Sequence, residues 1–123
     1  MFVDGPRLQP AAGLASLEPP LSEAEAALVQ AILLKPEEVA YRHQLAQLFF
    51  NQKRYARAID EWRELLRVKT DSVGALIGIA RSYERLEIWN RALRYYKQAF
   101  TLKPADPSVR QKIEAIEKER LTD

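Results

Sequence analysis

The stretch from Val73 to Pro104, VGALIGIARSYERLEIWNRALRYYKQAFTLKP, decides how this chain folds. Its apolar residues recur at helical spacing twice over. Leu76, Ile79, Ala80 and Tyr83 share one face of a helix predicted from about Val73 to Leu86. Ala92, Leu93, Tyr96, Ala99 and Phe100 share one face of a second, from about Trp89 to Leu102. The link between them is short, which makes the two helices antiparallel neighbours. Sliding the sequence by 34 residues superposes this pair on another. Val39 meets Val73, Ala46 meets Ala80, Arg57 meets Arg91, Ala58 meets Ala92 and Lys69 meets Lys103. Chemical class matches further: Leu45 with Ile79, Phe49 with Tyr83, Tyr55 with Trp89, Trp62 with Tyr96. A fixed period of this length marks a solenoid of stacked helix pairs.

Working outward, the earlier pair is predicted at about Glu38 to Asn51 and Tyr55 to Val68. Leu45, Ala46, Leu48 and Phe49 face inward on the first helix; Ala58, Ile59, Trp62, Leu65 and Leu66 do so on the second. Upstream, Ser22 and Glu25 fit a capping box, and Ala24, Ala27, Leu28, Ala31 and Ile32 form the stripe of a helix that Pro36 stops. Thr70-Asp71-Ser72 offers caps for the fourth helix. Asp106-Pro107 opens a sixth, running to about Arg120. Residues 1 to 20 hold four of the seven prolines together with Gly5 and Gly13, and read as a flexible leader in which no stable helix is expected, though Leu8, Leu14 and Leu17 remain able to dock it loosely on the body. No segment alternates with period two, so the expectation is an all-α fold of about six helices and no strands.

Those positions carry a resemblance. Leu76, Ile79-Ala80, Tyr83, Ala92, Tyr96, Ala99 and Pro104 fall at the spacings of the tetratricopeptide repeat. Leu45-Ala46, Phe49, Tyr55, Ala58 and Trp62 resemble it once more, with departures at Arg42, Leu65 and Thr70. Ala24, Ala31 and Pro36 look like the second half of a preceding repeat. The sixth helix, with Glu114 and Glu117 at sites that should be small or aromatic, resembles a solvating cap. The resemblance implies a right-handed superhelix of antiparallel helix pairs over residues 21–123: a half-repeat at 21–36, repeats at 39–72 and 73–106, and a capping helix at 107–120. Such a solenoid stacks because one hairpin cannot bury its own apolar face.

Composition limits the function. The chain has no cysteine and one histidine, His43, so it offers no thiolate metal site and no persuasive metal cluster; no metal or cofactor is expected. Ser16, Ser22, Ser72, Ser82 and Ser108 carry no nucleophile-elbow sequence, so the chain is not read as an enzyme and no residue is assigned a catalytic role. No apolar run reaches membrane-spanning length and no secretory signal is visible, which makes a cytoplasmic protein, or a domain of a larger one, the expectation. Residues 39 to 106 hold 13 Lys/Arg against 7 Asp/Glu, whereas residues 1 to 38 hold 2 against 6. A basic body fits a partner with an acidic residue, and equally a well-solvated helical surface. Tyr95-Tyr96 and Trp89 among Arg91, Arg94 and Lys97 fit the pattern of stacking on nucleic acid, but Tyr96 and Trp89 are needed by the repeat, so nucleic acid is disfavoured.

The remaining candidate is the concave face. The resemblance implies that the first helix of each pair lines a groove for a peptide or helical segment of a partner protein. By spacing, its lining is Ala40, His43, Gln47 and Phe50, then Gly74, Ile77, Arg81 and Glu84, then Ser108, Gln111 and Ala115. Phe50 and Ile77 are expected as exposed apolar anchors and Arg81 as the charged contact. Some members of the family clamp a C-terminal carboxylate with Lys and Asn. Here the matching residues are His43, Gln47, Gly78, Ser108 and Lys112, of which only Lys112 keeps the charge. Gly74 and Gly78 weaken their helix, and either open room for a ligand or leave local slack. The role that follows is a protein-binding scaffold or adaptor; self-assembly into a homo-oligomer is the alternative.

Overall fold

The computed structural model describes residues 22–121, so the leader expected at 1–20 lies outside the described residues. Six helices follow one another: α1 (Glu23–Leu34), α2 (Val39–Asn51), α3 (Tyr55–Val68), α4 (Val73–Arg85), α5 (Trp89–Leu102) and α6 (Pro107–Glu119), with no strand among the described residues. Each helix packs on the next, and α2 also touches α4. That is the stacking of a helical solenoid.

The ends of the helices repeat as the sequence does. Ser22 and Glu25 form the capping box, at 3.0 and 3.2 Å. The Ser72 hydroxyl accepts from the Ala75 amide on α4, and the Asp106 carboxylate accepts from the Ser108 amide on α6. Lys35, Lys69 and Lys103 close α1, α3 and α5 with the same backbone bond, 2.9 Å each time. Helices α2 and α4 end differently, in Schellman turns. Lys53 donates to Phe50 and Arg54 to Phe49, both at 2.9 Å; Glu87 donates to Glu84 at 3.0 Å and Ile88 to Tyr83 at 2.9 Å.

These turns require a left-handed residue, and Lys53 and Glu87 adopt φ 63 and 59°. A side chain there is strained by about 1 kcal/mol relative to glycine. Lys53→Gly and Glu87→Gly are each expected to stabilise the fold by about that amount. Chemical denaturation of the single variants and of the double variant checks this; a loss of stability in either would contradict the turn assignment.

The core lies between the pairs. Ala46, Ala58, Ala80, Ala92 and Ala99 are 0% exposed, and Phe49, Trp62 and Tyr96 are 1% exposed around them. Small residues let the helices approach, and the aromatics fill the space beside each approach. Two expectations for α1 are corrected: Ala24 and Ala27 are exposed, because no described helix packs on their side. Leu48, Leu66 and Phe100 are only half-buried. Ala75, Ser82 and Val109, which the apolar pattern left out, are buried. Ser82 meets its polar requirement locally, its hydroxyl donating to the Gly78 carbonyl at 2.8 Å.

Candidate functional site

The first helices α2 and α4 touch, and side chains of α6 reach α4. A Cβ built at Gly74 would meet the His43 ring at 3.6 Å, and the Arg81 guanidinium lies 4.8 Å from the centre of the Phe50 ring. Both pairs are 31 residues apart in sequence. The same offset relates Ile77 to Ser108 and Arg81 to Lys112, which line one cleft of about 120 Å³. Steps of seven or eight residues return to one helix face, so this register aligns His43 with Gly74, Phe50 with Arg81, and Arg81 with Lys112 along a strip.

At one end of the strip His43 is half-buried and accepts a hydrogen bond at Nδ1 from the Trp62 indole N–H, at 2.9 Å. An acceptor Nδ1 puts the proton of the neutral ring on Nε2, so the bond fixes the tautomer as well as both rings. Beside it opens a cleft of about 390 Å³ bounded by Val39, Ala40 and His43 on α2, Leu65 and Lys69 at the end of α3, and Ser72 and Gly74 at the start of α4. Its boundary is mostly carbon, and Gly74 keeps it open. Val39, Leu65, Lys69 and Ser72 were not anticipated as lining residues, nor were Glu38 and Gln44, which also border the cleft. Leu65 did carry a signal, as a large residue where the repeat pattern has a small one.

Midway, Phe50 departs from expectation. It is 6% exposed, a core residue and not an exposed anchor. Tyr55 and Trp62 meet its ring edge-on at 5.2 and 6.2 Å, and Arg81 and Arg85 roof it at 4.8 and 5.3 Å. The physical reason is that a guanidinium stacks flat on an aromatic face and covers it while staying in water itself. Both arginines remain exposed, and neither is ion-paired among the described residues. Arg85 was not on the expected list, although its position four residues after Arg81 puts it on the same face.

At the other end Glu84 is committed internally. It accepts from the Tyr96 hydroxyl at 2.7 Å and from Lys112 at 2.9 Å. Burial, and then the bond to this carboxylate, push the Tyr96 hydroxyl far above its ordinary pKa, so it stays a neutral donor. Lys112, the one residue that kept the charge of a carboxylate clamp, is therefore already paired. Ile77 is half-buried beside the smaller cleft. Gln47 is half-buried and donates to Asn51 at 3.1 Å, and Gln111 is exposed; neither lines a cleft with the others.

Gly78 settles one of the open questions about the two glycines. It is buried, and a Cβ there would lie 2.5 to 2.7 Å from three atoms of the Trp62 indole. The room it makes is occupied by a core side chain, which excludes both a ligand and slack at that position. No group of three or more His, Cys, Asp or Glu able to hold a metal is found among the described residues, and no described helix is long and apolar enough to cross a membrane.

Residues 21–70 match the family described as YpiA-like, tetratricopeptide repeats. Among curated proteins no sequence relative is found. In three dimensions the chain is similar to the TPR domain of Arabidopsis OM64, with TM-score 0.72, 17% identity, and 77% of this chain and 78% of that one covered. It is similar to the first TPR of Spaghetti (RPAP3) bound to the HSP90 peptide SRMEEVD, with TM-score 0.74, 13% identity, and 80% and 78% covered. It also resembles YrrB, described as a TPR protein with an unusual peptide-binding site, with TM-score 0.69, 16% identity, and 76% of this chain but 48% of YrrB covered. At these identities the likeness establishes the fold.

Proposed function

We propose, from the tetratricopeptide-repeat fold and the family match over residues 21–70, that the chain binds a segment of a partner protein along the face of α2, α4 and α6. An apolar side chain of the partner enters the cleft beside His43 and Gly74, and an acidic side chain meets Arg81 and Arg85. The observation that carries this reading is the pair of exposed guanidiniums over the Phe50 ring, without a carboxylate partner among the described residues, on the same strip as an open apolar cleft. Held cations next to an apolar cavity suit charge-assisted bonding with an anchoring side chain. The Spaghetti domain was captured with an acidic peptide, and YrrB is described by its peptide site, which agrees with a peptide ligand here. With Lys112 tied to Glu84, the acidic group is assigned to a side chain within the segment and not to a C-terminal carboxylate clamp. Self-assembly by end-to-end stacking gains no support from α6, which is exposed at Glu114 and Glu117.

Selection of random dodecapeptides on the full chain tests the proposal. Enriched peptides should pair a large apolar residue with Asp or Glu. Arg81→Glu should weaken them by about tenfold or more, which is about 1.4 kcal/mol. Arg94→Glu, an exposed site on α5, should leave them unchanged. Equal binding by both variants, once their helicity is shown to match wild type, would remove the site from this face.

A further inference from the structure

The indole N–H of Trp62 is a donor only, so its bond to His43, at 2.9 Å, takes the lone pair of Nδ1 and leaves the proton of the neutral ring on Nε2. Trp62 is well placed to hold that ring. It is 1% exposed and packs edge-on against Phe50 at 6.2 Å. Cε1, the ring carbon between the two nitrogens, lies 3.6 Å from where a Cβ at Gly74 would stand. Nε2 is the next ring atom beyond it, away from the Trp62 bond, and His43 and Gly74 both border the cleft of about 390 Å³. Among the described residues nothing accepts a hydrogen bond from Nε2. Two other polar side chains of the cleft are engaged: Lys69 donates to Asp71 at 3.1 Å, and Ser72 accepts from the Ala75 amide at 3.2 Å.

We propose, resting on the binding reading above, that the Nε2–H of His43 donates to a main-chain carbonyl of the bound segment, beside the residue whose side chain fills the cleft. A segment laid over a half-buried imidazole takes away its water, and an N–H left without an acceptor would then weaken binding. A main-chain carbonyl is the acceptor at hand, because the residue that anchors in the cleft carries one within two bonds of its side chain. Gly74 puts no side chain between that carbonyl and the ring. His43 thereby sets the register of the segment, and Trp62 is the positioning residue that keeps the proton on the outward nitrogen.

Esters test this, since an ester carbonyl is a weaker acceptor than an amide carbonyl. The probes are the tightest dodecapeptide selected on the full chain and the same peptide with one ester bond at each position in turn. One ester beside the apolar anchor should weaken binding to wild type at least about threefold, and should not do so for His43→Leu, which lacks the donor. His43→Leu should bind the unmodified peptide about fivefold more weakly. His43→Gln, whose amide can accept from Trp62 and donate outward, should recover most of that loss. The variants are compared once their helicity matches wild type. Esters that act equally on wild type and His43→Leu would overturn this assignment alone if Arg81→Glu still weakens binding. A selection that enriches nothing would remove the binding reading and this assignment with it. Nitrogen NMR of the unmodified chain, with the ring neutral, needs neither peptide nor variant. It should find the His43 proton on Nε2, and a proton on Nδ1 would also overturn the proposal.

Discussion

Gly78→Ala is expected to destabilise the protein by about 2 kcal/mol, although alanine is the better helix former. On propensity alone the change should gain about 1 kcal/mol. Against that stands the Trp62 indole, three of whose ring atoms lie 2.5 to 2.7 Å from the new methyl. The ring cannot easily move aside. It is 1% exposed, packed edge-on against Phe50 at 6.2 Å, and held by its N–H on His43 at 2.9 Å. Overpacking of a fixed core typically costs 1–3 kcal/mol, and a contact this short belongs at or beyond the upper end of that range. The propensity gain recovers only part of it. For about a hundred ordered residues the net loss is a fall in Tm of roughly 10 °C.

Two companion variants separate the mechanism from a general loss of helix. Gly74→Ala, whose methyl meets nothing closer than 3.6 Å, should be neutral or stabilising. Trp62→Phe removes the outer part of the indole, Cζ2 included, but keeps a ring carbon near Cδ2, so Gly78→Ala made in that background should lose part of its cost. A double-mutant cycle measured by urea unfolding gives the coupling directly. Additive effects would show that Gly78 is needed for some other reason.

The second large effect is expected at Glu25. Its side chain is 3% exposed and lies 2.9 Å from Arg54, whose own side chain is 18% exposed and which also stacks on Phe49 at 4.7 Å. The pair fastens α1 to the start of α3, across 29 residues of sequence. Removing one partner of a buried pair costs about 3–5 kcal/mol, and partial exposure of Arg54 reduces that to roughly 2–3 kcal/mol for Glu25→Ala. Part of the loss is the capping box, which ends with the same carboxylate.

The pH dependence has a definite sign. Burial pushes the Glu25 carboxyl up, but the amide and hydroxyl of Ser22 and the Arg54 guanidinium outweigh it, leaving the pKa below the ordinary 4.5. A group depressed on folding stabilises the native state above its unfolded pKa and loses that contribution as pH falls through the folded value. The gap in stability between wild type and Glu25→Gln should therefore be constant from neutral pH down to about 5, and should shrink below the ordinary value of 4.5. The difference measurement matters because Asp71, bonded to Lys69, and Asp106, bonded to Ser108, are depressed as well. A gap that widens on acidification would contradict the assignment.

Much of this fold was legible before any coordinates. The period relating Val39 to Val73 and Ala58 to Ala92 located the pairs, and Ser22, Ser72 and Asp106 marked starts of helices where the structure has them. Those signals are local: capping, periodicity and helix length act within a few residues. The strip of candidate residues was legible only as helix faces. Spacing put His43 and Phe50 on one face of α2, and Gly74 and Arg81 on one face of α4, but it said nothing of what covers each face.

What the sequence by itself determined, then, is an all-α solenoid of paired helices, with its small and aromatic core positions in register. Tertiary structure decided the rest. Phe50 became core because Arg81 and Arg85, arriving from the next repeat, cover its ring. Gly78 proved to be room for an indole sixteen residues upstream. Glu84 and Lys112 satisfied one another, and Ala24 stayed exposed although its counterparts are sealed. The physical reason is common to all four. A residue's type and spacing fix the direction in which its side chain leaves the helix, whereas burial depends on the partner that meets it from a distant part of the chain.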